Sequence, residues 1–244
     1  MTRAWAVVPA AGSGRRMGSA VAKQYLPLLG RPLLAHALAP LLASERLDAV
    51  VLCVAPEDRA WREAAGDDSG VHAHGEAGQR LLIATGGEER CHSVLNGLQR
   101  LADRAAEDDW VLVHDAARPC LSDAELKSLF SALADDPVGG LLAMPLSDTL
   151  KAADETQRVL RTLPRDGLWR ALTPQMFRYG LLREALADAV AAGLAVTDEA
   201  AAMERAGHRP ALVAGSAANI KVTTPEDLAL AEAVLRQREG RECA

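Results

Sequence analysis

The sequence predicts an α/β fold built on a doubly wound, mostly parallel sheet, and three features carry that prediction. Short apolar runs without polar alternation recur along the chain, as expected of strands covered on both faces. Between them lie stretches whose apolar residues repeat at helical spacing. Helix-start signals also fall just after several of the apolar runs, which is the βα rhythm of an open parallel sheet.

Taken in order, Trp5–Pro9 and Ala49–Val54 read as buried strands rich in Val. Ser93–Ala105 places Val94, Leu95, Leu98, Leu101 and Ala102 on one helical face. Trp110–Val113 and Gly140–Met144 are further buried strands, separated by Ser122-Asp-Ala-Glu125, a capping box. From Leu146 to Leu163 the rhythm breaks into two short strands, Thr149–Lys151 and Arg158–Thr162, joined by polar residues 153–157. A lone hairpin is marginal in water, so this arm packs on its own sheet or reaches another subunit. Arg178–Ala192 then reads as a helix stopped by Gly193, and Thr224-Pro225-Glu226-Asp227 opens the last one. Residues 1–244 are expected to form one domain, with the arm at about 146–172.

Composition narrows the function classes. With 49% hydrophobic and 25% charged residues, the chain has enough apolar material for a core and is not disordered. No apolar run reaches the ~20 residues of a membrane span, and Met1–Ala11 lacks a cleavable signal pattern, so a cytoplasmic protein is expected. A net charge of −6 and 3% aromatics argue against nucleic-acid binding, which needs a basic field and stacking platforms. Cys53, Cys91, Cys120 and Cys243 form no CxxC and are expected to be reduced. His72 and His74, in the Gly-rich stretch 67–79, lack a clear third ligand for a metal.

The first strand runs into Pro9-Ala-Ala-Gly12-Ser-Gly14-Arg15-Arg16-Met17-Gly18, a loop whose small residues let a backbone nest approach phosphate. A dinucleotide GxGxxG fingerprint fails at Met17, and no Gly-Lys-Ser/Thr follows for a Walker A loop. A nucleotidyl-transfer loop fits better, because Arg15, Arg16 and Lys23 add cations. When one phosphate attacks the α-phosphate of a nucleoside triphosphate, charge gathers on the α-phosphoryl oxygens and on pyrophosphate, where fixed cations stabilise it. Only four lysines occur, Lys23, Lys127, Lys151 and Lys221, so a lysine beside this loop stands out. Taken alone, the loop also fits a turn of solvated basic residues. A second ligand loop is His114-Asp115-Ala116-Ala117-Arg118-Pro119, at the carboxyl end of a strand. Asp115 there can orient a hydroxyl or a hydrated magnesium ion, and Arg118 can clamp a phosphate; a local Asp115–Arg118 ion pair is the plain alternative.

As an ordered set these motifs are more specific. The set adds Lys23-Gln-Tyr25, Gly86-Gly87-x-x-Arg90-x-x-Ser93-Val94, Ala171-Leu-Thr-Pro-Gln175, Thr197-Asp-Glu-Ala200, Asn219-Ile-Lys-Val-Thr223 and Pro225-Glu-Asp-Leu228. Over essentially the whole chain it resembles the 2-C-methyl-D-erythritol 4-phosphate cytidylyltransferases of non-mevalonate isoprenoid biosynthesis. The resemblance implies a Rossmann-like fold with a protruding hairpin arm, and a homodimer whose arms cross. It implies CTP and 2-C-methyl-D-erythritol 4-phosphate as substrates, with Mg2+ mainly on the triphosphate and Asp115 as its one protein candidate. Arg16 and Lys23 match the family's transition-state stabilisers, and Arg165 and Lys221 match residues that position the attacking phosphate. Ala10, Ala11, Gly12, Gly14, Gly87 and Ser93 match the nucleotide site, while Asp115, Arg118 and Thr173 match the methylerythritol phosphate pocket.

The residues themselves agree with that chemistry. An anionic phosphate nucleophile needs no strong general base, so the protein's task is to align two anions. Backbone groups of Gly86–Gly87 can read the exocyclic amine and carbonyl of a cytosine. A cytidylyltransferase for ribitol 5-phosphate shares the nucleotide half and is the nearest alternative. A non-catalytic CTP-binding protein is disfavoured by the paired Arg16 and Lys23, and a dinucleotide oxidoreductase by the failed glycine pattern. The cyclase domain fused to some relatives is not expected here.

Overall fold

In the computed structural model the described residues are 2–12, 21–62 and 80–242. Along them run β1 (Ala4–Pro9), a 3-10 turn at Lys23–Tyr25, a small ribbon of β2 (Pro27–Leu28) and β3 (Arg31–Pro32), α1 (Leu33–Ala43), β4 (Ala49–Val54) and β5 (Leu81–Thr85). Next come α2 (Arg90–Gln99), β6 (Trp110–Val113), α3 (Asp123–Ala132), β7 (Gly139–Pro145), β8 (Leu150–Ala153) and β9 (Val159–Leu163). The chain then forms β10 (Trp169–Arg178), α4 (Tyr179–Ala191), α5 (Glu199–Arg205), β11 (Ala211–Ala214) and α6 (Pro225–Glu242).

The central sheet has seven strands in the order β11-β7-β10-β6-β1-β4-β5. β6, β1, β4 and β5 are parallel, β11 is parallel to β7, and β10 runs antiparallel to both of its neighbours. This is the doubly wound, mostly parallel sheet predicted from the apolar runs. β1 shows why the runs lack alternation. Ala4, Ala6 and Val8 pack on one face with Leu34, Leu38 and Leu41 of α1 and Leu126 and Leu129 of α3. Trp5 and Val7 pack on the other with Val94 and Leu98 of α2, Leu182 and Leu186 of α4, and Met203 of α5. A strand buried on both faces tolerates no polar side chain on either.

α2 starts three residues earlier than its periodicity predicts and stops at Gln99. Glu89 and His92 form a reciprocal capping box that opens it at Arg90, a pairing outside the usual Ser/Thr signature. Gly97 brings this helix against the sheet: a Cβ there would lie 2.5 Å from Val7 Cγ1 and 2.9 Å from Cys53 Sγ. At α3, Ser122 accepts from the Glu125 amide and Glu125 accepts from the Ser122 amide, as the sequence predicts. α4 ends at Ala191, and Gly193 takes φ +63.

β8 and β9 form a separate two-stranded sheet, the predicted hairpin arm. Its turn is closed by Asp154, whose Oδ1 accepts from the Thr156 and Arg158 amides. Cys53, Cys91 and Cys120 are buried free thiols. No helix among the described residues is long and apolar enough to cross a membrane. Gly14, Arg15, Arg16, Cys243 and the 67–79 stretch with His72 and His74 lie outside the described residues.

Candidate active site

The parallel strands β1, β5 and β6 end on one edge of the sheet, and the loops that follow them help enclose a cavity of about 370 Å³. That volume suits a small-molecule site. It is lined by Ala10, Ala11 and Gly12 after β1, Lys23 and Gln24, residues 87–90 and Ser93, Asp115–Ala117, and Lys221 with Thr223. The sequence-predicted residues Ala10, Ala11, Gly12, Lys23, Gly87, Ser93, Asp115 and Lys221 therefore share one cavity.

Each wall is fixed by specific bonds. The Ala10 amide continues the β1 ladder to the Cys53 carbonyl at 2.8 Å. Gln24, a buried residue of the cavity wall, donates Nε2–H to the Ala10 carbonyl at 2.8 Å, and this pins the turn carrying Lys23 against the β1 loop. Gly86 lies so close to Ala11 that a Cβ at position 86 would sit 2.2 Å from the Ala11 Cβ. The Gly86 amide donates to Val54 O at 2.7 Å and the Gly87 amide to Ser93 Oγ at 3.0 Å. Both donors of the glycine pair are engaged internally. What this pair offers a base is thus carbonyl acceptors, suited to an exocyclic amine.

Asp115 is the electrostatic centre. Its Oδ1 accepts from Arg90 Nε at 3.1 Å, its Oδ2 accepts from Lys221 Nζ at 2.8 Å, and Arg118 Nε stands 3.6 Å from Oδ2. Burial alone would raise the Asp115 pKa; Arg90, Lys221 and Arg118 overcome it and hold the carboxyl well below the usual carboxylate range. Lys221 is delivered from a distant part of the chain because the Val222 amide donates to the Ala117 carbonyl at 2.8 Å. Arg90 in turn is gripped by Glu199 from α5, Nη1 to Oε1 at 2.6 Å and Nη2 to Oε2 at 3.0 Å. Burial opposes the Arg90 charge, yet the two carboxylates keep its pKa above the ordinary arginine value.

Arg118 and Thr173 stand behind this wall. Arg118 is 8% exposed and donates Nη1–H to the Asn219 carbonyl at 2.7 Å. Thr173 lies where the pairing of β10 with β7 breaks between Ala171 and Gln175, and its hydroxyl is engaged by His114 and the Asp115 amide. Arg165 is exposed between β9 and β10, bonded to the Ser147 carbonyl and not part of the cavity wall. Among residues the sequence reading left without a role, Gln24, Arg90, Glu199 and Asn219 all build the site. Each lies inside a quoted motif, but only the fold shows what it holds.

The carboxylates lining the cavity are Glu88, Glu89 and Asp115, hard oxygen donors of the kind magnesium prefers. Both Asp115 oxygens already face cations, so a metal there would share the carboxylate with Arg90 and Lys221. The described residues also group Glu89, Cys91 and His92 within 4.8 Å of one another. Glu89 and His92 are, however, committed to the α2 capping box.

The fold brings Lys23, Arg90 and Lys221, cations from separate segments, into one cavity, and comparison with known proteins identifies the class of the chain. A family model described as IspD, 2-C-methyl-D-erythritol 4-phosphate cytidylyltransferase, matches residues 4–237. A protein of that name from Dechloromonas aromatica is 55% identical over 240 residues, covering 98% of this chain and 100% of that one. Its namesake from Pseudomonas aeruginosa is 52% identical over 225 residues, 92% of each chain. A crystal structure of 4-diphosphocytidyl-2C-methyl-D-erythritol synthase superposes with a TM-score of 0.81 at 35% identity, covering 96% of this chain and 99% of that one. The Francisella tularensis 2-C-methyl-D-erythritol 4-phosphate cytidylyltransferase gives 0.79 at 32% identity, with 96% and 100% covered. Matched from its first strand into its last helix, this chain belongs to the 2-C-methyl-D-erythritol 4-phosphate cytidylyltransferase family of nucleotidyltransferases.

Proposed function

We propose that the cavity is where CTP meets 2-C-methyl-D-erythritol 4-phosphate. A phosphate oxygen of the polyol attacks the α-phosphorus of CTP and forms a new P–O bond. The bond from the α-phosphorus to the bridging oxygen breaks, and its electron pair leaves with pyrophosphate. The products are 4-(cytidine 5′-diphospho)-2-C-methyl-D-erythritol and pyrophosphate. The observation that carries this reading is that Lys23 and Lys221, from opposite ends of the chain, line one cavity with the small-residue loop and Asp115.

The roles divide by charge. Lys23, with Arg16 from the adjoining loop, stabilises the charge that builds on the α-phosphoryl oxygens and the leaving group. Lys221 brings the polyol phosphate into line, and Arg165 joins it from the arm of a second subunit. Ala10 to Gly12, Gly14, Gly87 and Ser93 hold the nucleotide. Asp115, with Arg118 and Thr173 behind it, shapes the polyol phosphate pocket. Magnesium fits on the triphosphate with Asp115 as the carboxylate at hand, and when bound it would neutralise part of the phosphate charge. The arm exposes Val159 at 63% and Leu160 at 66%, apolar surface that supports a homodimer with exchanged arms. Residues 1–244 then act as one nucleotidyltransferase domain in the cytoplasm.

The test is pyrophosphate release by purified protein with CTP and Mg2+, run side by side on methylerythritol phosphate and ribitol 5-phosphate. Turnover with the first is expected. Turnover only with ribitol 5-phosphate would replace the substrate and keep the nucleotide chemistry.

A further inference from the structure

Glu199 is fully buried, comes from α5, which packs on the same face of the sheet as α2, and lies outside the cavity lining. An isolated buried carboxylate is costly, so its partner decides its use. That partner is Arg90, which does line the cavity. Glu199 takes both terminal nitrogens of the guanidinium, at 2.6 and 3.0 Å, in the planar fork that arginine makes with a carboxylate. With the fork occupied and the plane fixed, Nε is the donor left facing Asp115, and it meets Oδ1 at 3.1 Å. Asp115 Oδ2 then faces Lys221 at 2.8 Å.

From this chain of contacts we infer that Glu199 is a positioning residue for the transferase site, acting through Arg90 to set the Asp115 carboxylate and hence the place of the Lys221 ammonium. The inference rests on the reading of the cavity as the site of phosphate alignment. Two consequences separate it from simple core stability. Glu199 occupies both terminal nitrogens of the Arg90 fork, so that Lys221, a point charge, is the cation presented to substrate. Arg90 also takes part of the Asp115 charge, which keeps Lys221 from being held wholly by that carboxylate. α5 is itself registered on the sheet, because Gln175 accepts from the Ala200 amide at 2.8 Å and donates to Asp198 at 2.9 Å. The Glu199 position is thus set by β10, the same strand that carries Thr173.

Two variants and two readouts test this. Glu199→Gln keeps the side-chain shape but breaks the charged fork, and kcat per folded molecule, with the folded fraction taken from its urea melting curve, is expected to fall about 10-fold with the KM for CTP nearly unchanged. If Glu199→Gln folds poorly, the paired variant Arg90→Met with Glu199→Met replaces the ion pair by apolar side chains of similar length, which buried sites commonly accept without loss of stability. It is expected to melt like the wild type yet turn over slowly. The second readout needs no activity. With only four lysines in the chain, 13C-methylation gives one signal set per lysine. The Lys221 shift is expected to move in the paired variant while those of Lys127 and Lys151 stay in place. A folded paired variant with wild-type turnover, or an unmoved Lys221 signal, would overturn the inference. Absence of turnover in the wild type would instead remove the proposed reaction, and the lysine spectrum would still decide the role of Glu199.

Discussion

The Thr173 hydroxyl lies 2.9 Å from Nδ1 of His114, and the same oxygen accepts the Asp115 amide at 3.1 Å. At the other side of the ring, His114 Nε2 faces the Arg118 carbonyl at 3.1 Å. A carbonyl only accepts, so Nε2 carries the proton, Nδ1 accepts from Thr173, and every donor in the chain has one direction. The backbone of the 114–118 loop, and with it Asp115, is held by this relay.

Thr173→Val is therefore expected to destabilise the protein by about 2–4 kcal/mol, because it leaves the buried Nδ1 and the Asp115 amide without partners. Thr173→Ser keeps the hydroxyl and loses one methyl, at a cost of about 1 kcal/mol. Urea denaturation of the two variants checks the difference. Equal losses would mean that the methyl contact, not the relay, anchors β10 here.

The same histidine predicts a pH dependence. Burial pushes the His114 imidazole down to about 4, against an ordinary value of 6.5. The unfolded chain then binds this proton first, so the contribution is fully present above pH 6.5 and is lost as pH falls toward 4. Its limit is on the order of 3 kcal/mol. His36, also lowered by burial, adds a slope of the same sign. The measurement is accordingly the difference between wild type and His114→Gln in urea at pH 7, 6 and 5. The variant is expected to lose less stability over that range, and parallel curves would refute a neutral buried His114.

Legibility in the sequence followed how local each cause is. β1, β4, β6 and β7 could be read because burial on both faces writes a continuous apolar run into neighbouring residues. β10 could not, because Thr173, Pro174 and Gln175 interrupt Trp169–Arg178 at the break in its pairing with β7. α1 carries Pro40 within it, a residue that argues against a helix interior. At the site, the small-residue loop and the Asp115 loop were visible as motifs. Glu199 stands in the Thr197–Ala200 motif, but its use was not visible, since it depends on Arg90, 109 positions away.

Lys23 sits on a turn pinned twice, by Gln24 to the Ala10 carbonyl and by the Tyr25 hydroxyl to Asp58 Oδ2 at 2.6 Å. A cation held in place before substrate arrives stabilises developing charge without reorganising. Lys23→Ala is expected to lower kcat by about 10²-fold and to weaken CTP binding much less. Tyr25→Phe keeps the ammonium but loosens its turn, so its loss is smaller, about 10-fold in kcat. Steady-state kinetics with CTP titrations separate the two effects. If Lys23→Ala loses binding and rate together, the lysine serves the ground state and not the transition state.

The arm offers the last expectation. None of the buried core residues belongs to β8 or β9, so removing residues 148–162 takes no side chain from either face of the sheet. The deleted protein is expected to fold with a melting temperature near that of the full chain. It does, however, lose Val159 and Leu160, exposed apolar residues that a partner would cover, and it shortens the connection that carries Arg165. Light scattering after size exclusion is expected to show a shift from dimer to monomer, together with a raised KM for methylerythritol phosphate and a CTP affinity close to that of the full chain. In the proposed dimer with exchanged arms the two changes appear together, because an arginine delivered by the other subunit would reach the cavity only while the subunits are joined. A deletion protein that stays dimeric and fully active would show that the arm neither joins the subunits nor serves the site.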